Sequence, residues 1–262
     1  MTDETQPDDL DLQPRVASSA SFWNFLIGGK DFFPADQELG EQMMREWPQV
    51  RTIALASRAF QGRAVRHLAG EGVRQFLDLG TGLPTADNTH EVAQRVAPDA
   101  RIVYVDNDPV VLAHARALLT STPEGATDYI DADLTDPDTV LTQAARTLDL
   151  DRPVALMILS TIGHVTDPAA AAHLVQTYMG RLAPGSHLVL CTTLASPVVD
   201  DANRSYAASG TSPYVASTTD EMLAMADGLT IPAPGLAPIN RWYPDGPTDP
   251  DVDQWGYVAR KP

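Results

Sequence analysis

Three features of the sequence predict an α/β domain built on a mostly parallel sheet with helices on both faces. The first is Phe76-Leu77-Asp78-Leu79-Gly80-Thr81-Gly82-Leu83-Pro84-Thr85, an apolar run of strand type that ends in two glycines one residue apart. Glycines there let the backbone turn tightly and approach a ligand without a Cβ in the way. Helix-type sequence resumes shortly afterwards, and strand, glycine turn and helix in that order open a nucleotide-binding fold. The second feature is another apolar run, 101–105, closed by Asp106 twenty-one residues beyond Thr85. An acid at that place can accept hydrogen bonds from both hydroxyls of a ribose. The third is a set of Asp-Pro pairs, Asp108-Pro109, Asp136-Pro137 and Asp167-Pro168, each following an apolar run. Aspartate caps a helix and proline suits its first turn, so each pair marks a strand passing into a helix. Such alternation implies a parallel sheet.

Residues 1–18 are polar, acidic and proline-containing, and read as a flexible tail. Ser21-Phe22-Trp23-Asn24-Phe25-Leu26-Ile27 reads as a short apolar helix stopped by Gly28-Gly29. Pro34 suits the first turn of a second helix reaching about Glu46. Ile53, Ala56, Phe60, Ala64, Val65 and Leu68 recur at three- and four-residue steps, the period of a longer amphipathic helix. The stretch 19–70 is therefore expected to form a helical cap ahead of a nucleotide domain over 71–262. Within that domain helices are expected over 109–119, 137–147 and 168–183, and a further strand over 185–193. The region 196–217 reads as a long polar insertion without a period. Thr218 and Glu221 form a capping box for a helix through Asp227. Two last strand candidates, 235–240 and 255–260, flank a proline- and aspartate-rich loop of hairpin type. No internal repeat is visible.

Composition removes several classes of function. Hydrophobic residues make up 44% of the 262, enough for one large α/β domain with a substantial core. The net charge of −17 disfavours phosphate backbones and anionic membrane faces as partners. Cys191 is the only cysteine, so no internal disulfide can form. Without a signal-like segment or an apolar run of membrane length, the cytoplasm is the expected location. His90 and Glu91 lack a second histidine at the spacing of a zinc motif, because position 94 is Gln94. The acids Asp131, Asp133 and Asp136 lack the glycine and closing glutamate of a calcium loop, and so do Asp249, Asp251 and Asp253. No metal is expected.

The cofactor reading turns on two departures from a dinucleotide fingerprint. Thr85 stands where Gly or Ala is needed, and Asp78 places a charge two residues before the first glycine. Both point from a nicotinamide towards S-adenosyl-L-methionine (SAM). The chain resembles class I SAM-dependent methyltransferases, and more closely an actinobacterial S-adenosyl methyltransferase family formerly catalogued as a domain of unknown function. The residues that carry the likeness are Leu26-Ile27-Gly28-Gly29-Lys30-Asp31, Arg58-Ala59-Phe60, the glycine motif and Asn88 with His90-Glu91-Val92-Ala93. Tyr104-Val105-Asp106-Asn107-Asp108-Pro109, Ala132-Asp133-Leu134 and Pro234-Gly235-Leu236 complete it.

This resemblance implies a Rossmann-like class I methyltransferase fold, with a seven-stranded sheet whose last strand is antiparallel. It implies SAM as cofactor and S-adenosyl-L-homocysteine as product, bound across the strand ends. Gly80, Thr81 and Gly82 would approach the methionine part, with Asp78, Leu83 and Pro84 beside them. Asp106 and Asn107 would bind the ribose region, and Asp133 and Leu134 the adenine. Ser160 would face the sulfonium, and Lys30 and Arg58 would partner the methionine carboxylate. Where the family commonly has a histidine this chain has Gly163, with His164 one place later, which makes His164 the candidate general base. Phe32 and Ser57 also stand where asparagines are usual. The expected partner is a small-molecule substrate, with no nucleic acid and no membrane. A SAM-binding sensor without catalysis, a SAM-binding enzyme with other chemistry and a nicotinamide-dependent oxidoreductase are the alternatives.

Overall fold

Ser18 sets the start of the described chain in place; the computed structural model describes residues 16–118, 120–247 and 250–262. Most of the tail expected over 1–18, and Asp249, lie outside these residues. The Ser18 hydroxyl accepts from the Ser21 amide and caps α1 (Ser19–Leu26). The Ser18 amide donates to Asp36 Oδ1 at 2.9 Å, while Asp36 Oδ2 accepts from Phe33 N at 2.8 Å at the head of α2 (Pro34–Glu46). One buried carboxylate thus ties the first turns of two helices, where unpaired amides favour an anion. The helices also touch closely, since a Cβ on Gly40 would fall 2.2 Å from the Phe25 ring.

The long helix α3 (Val50–Gly70) follows its predicted period, with Ile53, Phe60, Ala64, Val65 and Leu68 buried. These side chains share one apolar cluster with Phe76, Ile102, Met157 and Val189 from one face of the sheet. The sheet contains β1 (Gln75–Leu79), β2 (Arg101–Asp106), β3 (Ala126–Asp131), β4 (Ala155–Leu159), β5 (His187–Thr193), β6 (Ala237–Pro238) and β7 (Gln254–Arg260). Their order is β3-β2-β1-β4-β5-β7-β6, parallel from β3 to β5, with β7 antiparallel to both its neighbours. Alternate residues, Leu77, Leu79, Val103, Val105, Leu156 and Ile158, enter a second cluster on the opposite face. With both faces covered, the central strands are apolar over most of their length, Asp78 of β1 being the buried exception, which is why they read as near-continuous runs.

The connections are α4 (Thr89–Val96), α5 (Pro109–Leu118), α6 (Pro137–Ala144), α7 (Pro168–Arg181), α8 (Pro197–Ala208) and α9 (Thr219–Ala224). Each predicted Asp-Pro start is found. Asp108, Asp136 and Asp167 accept from the amides of Val110, Thr139 and Ala169 at 2.8, 3.1 and 2.9 Å. The region 196–217 corrects the reading of a featureless insertion, because it contains α8. Ser196 caps that helix through the Val199 amide, Pro197 takes its first position, and Val199, Ala202 and Tyr206 bury one side. The strand expected over 235–240 shrinks to two residues, since Pro238 offers no amide to a ladder and 239–241 turn into a 3₁₀ helix. Among the described residues no helix is long and apolar enough to cross a membrane.

The doubly capping Asp36 gives a stability test. Asp36→Ala should cost about 1.5–3 kcal/mol in equilibrium denaturation, the range for hydrogen bonds to a charged group, with faster amide exchange at the start of α1. An unchanged denaturation midpoint and unchanged exchange would mean that the carboxylate does not hold α1 in place.

Candidate active site

β1 and β4 lie side by side, yet the chain leaves β1 towards β2 and returns to β4 only after β3. Sheets of this kind leave a crevice at the carboxyl ends of such strands. Here it is a cavity of about 740 Å³, of the size that takes a small organic ligand. Its floor is the glycine turn, and the two glycines have different tasks. Gly80 (φ +69°) has no room for a side chain, because a Cβ would fall 2.1 Å from Thr161 Cγ2. Thr161 fastens the contact by donating to Leu79 O at 3.0 Å. Gly82 (φ +67°) is different: a Cβ there would have no atom within 4 Å, so this side of the cavity stays open.

The amide of Gly82 donates to Asp106 Oδ2 at 2.9 Å, and Asp108 N donates to Asp106 Oδ1 at 3.0 Å. Burial pushes the Asp106 carboxyl up, and the two amides oppose that shift. Each oxygen keeps acceptor capacity for a hydroxyl. Next to it, Asn107 Nδ2 donates to Asp133 Oδ2 at 3.2 Å, while Thr135 N and Oγ1 hold Asp133 Oδ1 at 2.8 and 2.7 Å. Leu134 lines the cavity and its carbonyl accepts from Tyr178 Oη at 2.7 Å. Asn107, next to Asp106, therefore links the end of β2 to Asp133 just beyond β3.

Behind the glycine turn runs a buried polar chain. Thr89 Oγ1 donates to Asp78 Oδ2 at 2.7 Å, Gln61 Nε2 to Thr89 Oγ1 at 2.7 Å, and Arg58 Nη1 to Gln61 Oε1 at 2.8 Å. Arg58 also donates to Thr85 Oγ1 and, at 3.2 Å, to the Ala86 carbonyl. Desolvation raises the Asp78 carboxyl to about 6, against the pull of Thr89 and Arg58. Asp78, Arg58, Thr81 and Leu83 all line the cavity.

Three expectations need correction. Lys30 is exposed and not among the lining residues, because the segment after α1 folds back on Asn24, whose Oδ1 accepts from Asp31 N at 3.1 Å. Pro84 likewise does not line the cavity. Ser160 borders it at φ +65°, but its hydroxyl turns to a buried group, accepting from Gln254 Nε2 and lying 3.5 Å from Ser57 Oγ. Several lining residues escaped notice, chiefly Ser19 and Asn24 of α1 and 210–213 after α8. The apolar flanks of Gly28-Gly29 were the available signal for the first group; the second lay in the region misread as featureless.

His164 ends a 3₁₀ turn (Ile162–His164) that follows β4. Its Nδ1 is 2.9 Å from the Pro213 carbonyl, which can only accept, so Nδ1 carries the proton. Nε2 is then an acceptor, 3.3 Å from Ser19 Oγ. Burial lowers the imidazole's pKa, which keeps it neutral near pH 7. Position 163 has no space for a side chain, since a Cβ there would lie 2.5 Å from the Tyr214 ring. Tyr214 fills that place, and His164 packs edge-on against it.

A seven-stranded sheet with this order, its acids at the ends of β2 and β3 and its glycine turn after β1, is that of a class I methyltransferase. The sequence matches the model of the S-adenosyl methyltransferase family over residues 3–262, and the chain belongs to that family. A DUF574-family protein from Streptomyces avermitilis is 43% identical with a TM-score of 0.89, covering 94% of this chain and 98% of that one. A candidate methyltransferase from Thermobifida fusca is 36% identical with a TM-score of 0.87, covering 99% of each. An O-methyltransferase-family protein from Burkholderia thailandensis shares the fold at 14% identity and a TM-score of 0.55, covering 86% and 70%. No curated protein matches the sequence. The enzyme is thus a SAM-dependent methyltransferase. Its cavity fits that cofactor chemically, with a guanidinium whose hydrogen bonds go to neutral groups, two acids with spare acceptor capacity, and an open face at Gly82.

Asp78 yields a pH test. Below about pH 3 the acid is protonated in folded and unfolded chains alike, and its burial costs little. As pH rises the unfolded chain ionises first, and the folded state bears the full penalty above about pH 6. Without cofactor, Asp78→Asn should therefore be more stable than the parent at pH 8, by up to about 3 kcal/mol, with the difference shrinking as the pH falls through about 6 and gone near pH 3. Denaturant titrations at both pH values check this; a parent at least as stable as the variant at pH 8 would contradict it.

Proposed function

We propose that the enzyme transfers the SAM methyl group to a small molecule in the cytoplasm, with 19–70 serving as a cap over the domain formed by 71–262. The observation that carries this reading is the order of groups along one cavity: Asp133 and Asp106 at β3 and β2, Arg58 beside the glycine turn after β1, and His164 after β4. The size of the cavity and the net charge of −17 both favour a small acceptor over a nucleic acid.

In this reading Asp106, with Asn107, accepts from the ribose hydroxyls, and Asp133 and Leu134 hold the adenine. Gly80, Thr81 and Gly82 let the methionine part approach, with Leu83 as an apolar wall. Arg58 binds its carboxylate and Asp78 balances its ammonium charge. Bound SAM supplies a methyl that is already activated, so the protein must align an acceptor and remove its proton. His164 suits that task. Pro213 holds its tautomer, its lowered pKa keeps it neutral, and Nε2 can take a proton from a bound hydroxyl or amine. Residues of α1 wall the cavity and keep water from it.

Two substitutions separate binding from chemistry. Asp106→Ala should weaken SAM binding by about 1.5–3 kcal/mol, roughly ten- to hundredfold in Kd by calorimetry. His164→Ala should keep SAM affinity and lower turnover by roughly 10²–10⁴-fold, the range for a lost general base. Unchanged affinity in a folded Asp106→Ala protein would remove the ribose assignment, and a near-normal rate in His164→Ala would place proton removal elsewhere. Formation of S-adenosyl-L-homocysteine with a panel of metabolites tests the whole reading. A protein that binds SAM but turns over with none of them would fit a sensor instead.

A further inference from the structure

The charges in the cavity are strictly partitioned. Arg58, Asp78, Asp106, Asp108 and Asp133 all belong to the part over the ends of β1, β2 and β3. The part over β4, walled by α1, the turn before His164 and the loop after α8, has no Lys, Arg, Asp or Glu among the described lining residues. Trp23, Val165 and Pro213 give it an apolar wall, and Ser19 and Ser212 add neutral hydroxyls. His164 is its one titratable group, and it is held neutral with a lone pair on Nε2.

We infer that the acceptor is a neutral, largely apolar, planar molecule that presents a hydroxyl group to His164 Nε2. This rests on the methyl-transfer reading above and narrows it to a class of substrate. A carboxylate or phosphate entering this half would give up its hydration with no cation to replace it, and an ammonium group would find no anion. A neutral hydroxyl loses far less and recovers a hydrogen bond from the imidazole lone pair. The chain already shows the geometry such a group would adopt, because Ser19 Oγ sits 3.3 Å from Nε2. An acceptor hydroxyl takes the place of that serine contact. The Trp23 indole offers a flat apolar surface for the ring or chain that carries it.

The test uses the full-length protein saturated with S-adenosyl-L-homocysteine, a complex that cannot transfer a methyl group, so the readout is heat of binding. Naphthol, naphthoate and naphthylmethylammonium are titrated at neutral pH as neutral, anionic and cationic probes of nearly one shape. Naphthol should bind roughly tenfold or more tightly than either ion. Equal or tighter binding of an ion overturns the inference, and so does no binding of naphthol to protein that has taken up S-adenosyl-L-homocysteine, while methyl transfer itself would stand. Failure to bind S-adenosyl-L-homocysteine would instead defeat the underlying reading along with this one. Ser212→Lys, on an exposed loop, locates the probes. It should raise naphthoate binding relative to naphthol, and an unchanged ratio would show that the probes do not occupy this half.

Discussion

The cavity depends on one close approach, that of Gly80 to Thr161. The segments leaving β1 and β4 meet there, with Thr161 Cγ2 in the space a Cβ would need and Thr161 Oγ1 bonded to Leu79 O. This contact fixes the two loops that carry the opposite ends of the chemistry. On one side it sets the glycine turn, whose next amide but one, at Gly82, finds Asp106. On the other it starts the turn that delivers His164. A larger residue at position 80 would push the two halves apart, and reaching φ +69° would strain it as well. Local backbone freedom and a long-range contact therefore impose the same residue.

Charge is concentrated where it costs most. Asp78 and Asp106 are both raised by burial, and the charge of Asp106 raises Asp78 further. An enzyme shaped for stability alone would not bury two acids beside one cavity. Their hydrogen bonds from Thr89, Gly82 and Asp108 limit the cost without cancelling it, and a cationic ligand with free hydroxyls would recover it. The empty protein is thus left less stable by its own buried acids, a cost that a bound ligand of that kind would offset.

Much of the fold was legible because the deciding interactions are local. Each Asp-Pro pair caps its own helix, so two adjacent residues report one boundary. The period of α3 and the unbroken strands report burial in the same direct way. α8 was missed although its signals are local, since Ser196-Pro197 repeats the start signal and Val199, Ala202 and Tyr206 stand three and four residues apart. The other failures were non-local. Lys30 was misplaced because Asn24 decides which way the chain turns after α1. The direction of the Ser160 hydroxyl is set by Gln254, 94 residues away. The shift of the histidine from 163 to 164 was visible as a letter, but its cause was not. Tyr214 occupies the space beside Gly163, and Pro213, 49 residues from His164, fixes the imidazole tautomer.

The same non-local links bear on how the cap works. Besides its apolar packing, α1 is held at its start by two polar contacts, Ser18 to Asp36 and Ser19 to His164, and they differ in kind. The first is a charge-assisted bond to a buried carboxylate of α2, and neither Ser18 N nor Asp36 bonds to His164. The second is a neutral contact to the imidazole, which in the proposed reaction an acceptor displaces to reach Nε2. If Ser19 alone held α1, each acceptor that bound would release the helix and admit water at the moment of proton transfer. With Asp36 holding the preceding residue, Ser19 can give up the imidazole while α1 stays over the cavity. In the proposed reaction this separation of anchor from gate, one residue apart, would let the site exchange a serine for an acceptor without opening.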